Sequence, residues 1–91
     1  MELVFVERTF DEPVDLNKIR EASQRGQWCM DLHHVKAVQS YVSNDRRRMV
    51  CIFEAPDAES VRKANTTAGM PFVRVWTAQT LASALEEGAD S

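Results

Sequence analysis

The sequence is short of nearly everything that marks a specialised class of protein. None of its 91 residues lie in an apolar run approaching the ~18 residues that span a bilayer. The start MELVFVERTF lacks the basic-then-apolar layout of a signal peptide. Two cysteines, Cys29 and Cys51, are too few for a disulfide framework, so a reducing cytoplasm is the expected setting. Eleven basic residues stand against 14 acidic ones, and the net charge of −3 leaves no positive excess for nucleic acid. A phosphate-cradling glycine loop, a Cys-x-x-Cys pair and a Ser-His-Asp order are missing too, so covalent catalysis has no support. What these absences leave is one small domain, expected over residues 1–80 with a partly disordered tail over 81–91, and with no membrane or nucleic-acid partner.

The three glycines and three prolines punctuate the chain informatively. Glu2 to Thr9 is rich in β-branched and aromatic residues and reads as a strand stopped by Pro13. Asp15 is placed to cap a helix starting at Leu16, whose stripe Leu16, Ile19, Ser23, Gly26, Met30 and His33 predicts one continuous helix through Gly26. Val35–Ser43 and Arg48–Ala55 read as a hairpin across Asn44-Asp45. Pro56 and Asp57 open a second helix, with Val61, Ala64 and Ala68 as its apolar stripe and Gly69 as its C-terminal cap. Phe72–Trp76 is the last strand, and the segment through Leu81 and Leu85 fits either a short helix or an edge strand. The order β-α-β-β-α-β predicts an α+β, ferredoxin-like domain: a four-stranded antiparallel sheet with two helices on one face.

That arrangement leaves the other sheet face bare. Alternation puts Val38, Ser40 and Val42 with Met49, Cys51 and Phe53 under the helices, and Ala37, Gln39 and Tyr41 with Arg48, Val50, Ile52 and Glu54 on the open face. A sheet apolar on both faces needs a second covering layer, and another copy of the same sheet is the simplest one. A face-to-face homodimer is therefore expected.

Two groups of side chains suggest chemistry. Cys29 and His33 stand four residues apart on one edge of the first helix, with His34 next, which brings together soft and imidazole donors suited to a divalent transition metal. The plainer reading of such histidines is a favourable contact with the helix C-terminus. Glu7, Gln39, Tyr41, Arg48 and Glu54 belong to the strands of the open face, where a cleft between two sheets offers carboxylate, phenol and guanidinium groups to a small ligand. Their plainer reading is interfacial ion pairing of Arg48 with a glutamate. Cys51 reads as a buried structural thiol, Arg46-Arg47-Arg48 as a solvated turn and Asn65 as a partner for nearby backbone. Trp28 and Leu32 lie off the first helix's apolar stripe and suggest either a contact patch for a protein partner or simple packing under a loop.

Several stretches together resemble one small bacterial family. They are Val6-Glu7-Arg8-Thr9-Phe10, Ser40-Tyr41-Val42-Ser43, Cys51 through Arg62, and Ala68-Gly69-Met70-Pro71-Phe72. The Glu54-Ala55-Pro56-Asp57 stretch with the later Ala-Gly-x-Pro is the most specific part. The family is known as a domain of unknown function and often labelled nickel-binding. The resemblance implies a ferredoxin-like dimer of the α/β-barrel type and a divalent metal, nickel in particular, with no organic cofactor. Relatives carry a histidine in the second helix where Ala64 or Asn65 stands here, which leaves Cys29, His33 and His34 as the candidate donors. The resulting expectation is a cytoplasmic homodimer binding nickel, another divalent metal or a small ligand. The rival expectation is a cofactor-independent oxygenase or isomerase acting on a small organic molecule, with Glu54 or Glu7 as base and Tyr41 and Arg48 stabilising developing negative charge.

Overall fold

The computed structural model describes residues 1–89. It has four strands and four helices: β1 Glu2–Thr9, α1 Leu16–Arg25, α2 Gln27–Leu32, β2 Lys36–Val42, β3 Arg48–Ala55, α3 Ala58–Thr67, β4 Arg74–Ala78 and α4 Leu81–Ala89. The strands form one antiparallel sheet in the order β2-β3-β1-β4. The α+β class and the four-stranded antiparallel sheet agree with the reading of the sequence. Four helices are present: the first expected helix divides in two, and the segment through Leu81 and Leu85 takes the helical of its two expected forms. The tail expected to be partly disordered over 81–91 is helical through Ala89, and Asp90 and Ser91 lie outside the described residues.

The first helix is not continuous. α1 ends on Gly26, whose N–H bonds to the Ala22 carbonyl, and α2 restarts from the Gly26 carbonyl. A Cβ on Gly26 would lie 3.0 Å from the Cβ of Ala68, so glycine is what lets the α1–α2 junction sit against the end of α3. The small residue thus serves a helix–helix approach, not the helix–sheet approach its place in the stripe suggests.

α2 and α3 end in the same way. His34 adopts φ +59° and donates its N–H to the Asp31 carbonyl, while Val35 N–H reaches back to Met30. Gly69, at φ +73°, donates to Thr66, and Met70 N–H reaches back to Asn65. Both are Schellman closures, which satisfy the last carbonyls of the helix through one left-handed residue. Glycine takes that conformation freely; histidine takes it at a cost. At the other end of α3, the Asp57 carboxylate accepts from Ser60 N–H and holds the N-cap foreseen there.

One face of the sheet and three helices enclose the core. Val4 and Val6 of β1, with Met49, Cys51, Phe53 and Ala55 of β3, pack with Met30 of α2 and Val61 and Ala64 of α3; Ile19 of α1 joins from the margin. Cover is uneven. No residue of α1 is buried, and β2 is exposed along its whole length. The expected burial of Val38 and Val42 under the helices is thus corrected, since they are 49% and 38% exposed.

A bulge in β2 also alters its parity. Ala37 pairs with Phe53 and Gln39 with Ile52, so Val38 is the extra residue. Ala37 therefore shares the helix-covered face with Phe53, opposite to the strict alternation expected for it. Beyond the bulge, Ser40 and Val42 face the same way as Cys51 and Met49, as expected. β4 begins two residues later than foreseen. The Pro71 carbonyl is taken by Arg8, and the chain meets β1 only at Val73, whose N–H bonds to the Glu7 carbonyl.

Candidate functional site

The open sheet face is built in cross-strand rows. Trp76, Phe5, Ile52 and Gln39 form one row, and Arg74, Glu7, Val50 and Tyr41 the next. The Phe5 and Trp76 rings lie 4.8 Å apart at 30°, and Trp76 Nε1 donates to Glu7 Oε2 at 2.9 Å. Leu3, Phe5, Val50 and Ile52 are half-buried by their neighbours alone, while Trp76 and Tyr41 remain 43% and 61% exposed. No described helix covers this face: α1, α2 and α3 pack on the other one, and Leu81 and Leu85 of α4 are exposed.

All five polar residues expected on this face are there, but they do not gather into one group. Glu7 is engaged by Trp76, and the Gln39 side chain accepts from Ser40 N–H. Tyr41 stands across from Val50, Arg48 across from Thr9, and Glu54 in the row of Leu3 and Lys36. No hydrogen bond or ion pair among the described residues joins these five side chains to one another. Within one chain the salt bridge among the described residues is Arg62–Glu59 at 3.5 Å, and Arg48 is left for the interfacial pairing expected of it.

The metal-donor candidates sit on the helical side, at the end of α2. Cys29 is 1% exposed, His33 is half-buried and His34 is exposed. His33 donates its backbone N–H to the Cys29 carbonyl, and His34 holds the left-handed closing position of α2. These contacts account for both histidines through the backbone alone. No group of three or more His, Cys, Asp or Glu side chains among the described residues is placed to hold a metal ion. A nickel shell built from one chain therefore does not fit the donors present.

Trp28 and Leu32, on the outer side of α2, are 61% and 63% exposed, as a contact patch requires. Cys51 is buried in the core.

One polar cluster escaped the sequence reading. Arg8 is 2% exposed under the helices, where Nη2 donates to Asn65 Oδ1 at 2.7 Å and Nη1 to the Pro71 carbonyl at 2.7 Å. Its Nε has no partner. Asn65, fully buried, donates Nδ2 to the Val61 carbonyl, the backbone role expected of it, while its oxygen serves Arg8. The signal for Arg8 was available: by alternation it shares the face of Val4 and Val6.

Comparisons with known proteins agree with this architecture. No curated protein matches the chain. The crystal structure of SCO4226 from Streptomyces coelicolor A3(2) superposes with a TM-score of 0.76 over 86% of this chain and 96% of that one, at 15% identity, a likeness of fold. No helix among the described residues is long and apolar enough to cross a membrane. The model of the nickel-responsive SCO4226-like proteins matches residues 5–77, and the chain belongs to that family.

Proposed function

We propose that the chain is a ferredoxin-like homodimer joined through its open sheet face, and that the dimer is a nickel-linked binding protein of the cytoplasm. The observation that carries the dimer is the uncovered row of Phe5, Ile52 and Trp76, continued by Leu3, Val50 and Tyr41. A half-apolar sheet face in water calls for a partner, and a second copy of the same face is self-complementary under two-fold symmetry. The metal half of the proposal rests on family membership and on the donor chemistry of His33 and His34, beside the sealed thiol of Cys29. One chain brings no three donors together among its described residues, and the donors lie on the helical side away from the open-face partner, so water fills the rest of the shell.

Calorimetric titration with nickel tests this reading. Wild-type protein is expected to bind, the His33→Ala/His34→Ala double variant to bind more weakly, and Phe5→Lys, which charges the open face on the far side of the sheet from these donors, to lose dimerisation and keep nickel binding. Equal affinity in wild type and the double variant would remove the histidines from the site.

A further inference from the structure

A cavity of about 240 Å³ lies between the α1–α2 layer and the β2–β3 half of the sheet. It exists because that half is thinly covered: α1 buries no residue, and Ala37, turned inward by the bulge at Val38, leaves space across from Phe53. Its wall includes Met30, Met49, Met70, Cys51 and Phe53, a soft apolar lining that adapts to shape. Arg8 is the one charged side chain among the lining residues.

That charge is unbalanced. Both terminal nitrogens of Arg8 bond to neutral acceptors, Asn65 Oδ1 and the Pro71 carbonyl, and Nε has none. Among the described residues no carboxylate lies within 4.0 Å of the guanidinium. A buried cation without a counter-ion is costly, and a planar guanidinium with free N–H groups matches a carboxylate best. Size narrows the class further. A dry cavity of about 150 Å³ accommodates benzene, so this one takes about ten non-hydrogen atoms.

We propose that this cavity binds a small monocarboxylate with an apolar body, aromatic or aliphatic, whose carboxylate balances the charge of Arg8. The carboxylate supplies the missing counter-charge where Arg8 lines the wall, and the methionines and Phe53 enclose the remainder. Ligand entry follows from the exposed β2 edge and the loosely seated α1.

Benzoate, with benzamide as its neutral isostere, tests the site on the full chain by amide chemical-shift titration. Benzoate is expected to move the amides of Ser23, Ala37 and Cys51 and to bind at least about tenfold more tightly than benzamide, as a buried charge contact requires. Asn65→Asp places a carboxylate beside Arg8 while keeping the side-chain shape. It should weaken benzoate at least about tenfold and leave benzamide within about twofold. Ser23→Leu, which fills the cavity from α1 and leaves Arg8 untouched, should abolish both. Equal affinity for benzoate and benzamide overturns the proposal. So do shifts confined to residues outside the cavity, or benzoate binding undiminished in Ser23→Leu.

Discussion

Arg8 and Asn65 meet across the interface of β1 and α3, 57 residues apart in sequence, through a 2.7 Å hydrogen bond with both side chains shut off from water. The same asparagine ties back to the Val61 carbonyl, so one residue anchors the guanidinium and braces its own helix. Asn65→Ala removes the acceptor of a charged donor in a dry site. The expected loss of stability is about 1.5–3 kcal/mol, the range for hydrogen bonds to charged groups, read as a lowered urea midpoint. Asn65→Asp, which keeps an acceptor for Arg8, should lose less.

His34 gives a second test, because its conformation and its chemistry can be separated. Relieving a left-handed non-glycine residue gains ~1–2 kcal/mol, from which glycine's extra unfolded-state freedom subtracts ~0.4–1 kcal/mol. His34→Gly is therefore expected to raise stability by up to about 1.6 kcal/mol in urea unfolding. His34→Val should lower it. A nickel affinity that falls in His34→Gly while stability rises would assign the imidazole a ligand role distinct from its backbone one.

The N-cap of α3 sets a pH dependence. The backbone N–H of Ser60, followed by its side chain, holds the Asp57 carboxyl below the ordinary aspartate range. A depressed folded value stabilises the protein above the unfolded value, and the contribution disappears as pH falls through the folded one. Asp57→Asn keeps a capping acceptor and loses the charge. The urea midpoint of wild type should exceed that of Asp57→Asn at neutral pH, and the gap should close in acid below the ordinary aspartate range.

Much of this architecture was legible because it is local. The β-branched run at Glu2–Thr9, the Asp57 cap and the Gly69 closure each depend on a few adjacent residues, and each stands where the pattern put it. The misplaced features depend on distant contacts. Gly26 breaks its helix where the end of α3 presses against it, and nothing near Gly26 in sequence announces Ala68. The Val38 bulge turns Ala37 inward through pairing with β3, which strict alternation does not foresee. Arg8 could be placed on the inner face by counting, yet its acceptors come from α3 and the loop after it. The donor pattern Cys29, His33, His34 has the right residue types. Helix spacing alone did not reveal that the thiol is sealed while His34 closes the helix.

The open face carries the central claim, and sedimentation velocity across micromolar concentrations tests it most directly. The account expects wild-type protein to sediment at twice the 10.3 kDa chain mass, and Phe5→Lys, with its circular dichroism unchanged, to sediment as a single chain. A wild-type protein that remains a 10.3 kDa monomer throughout that range would contradict it.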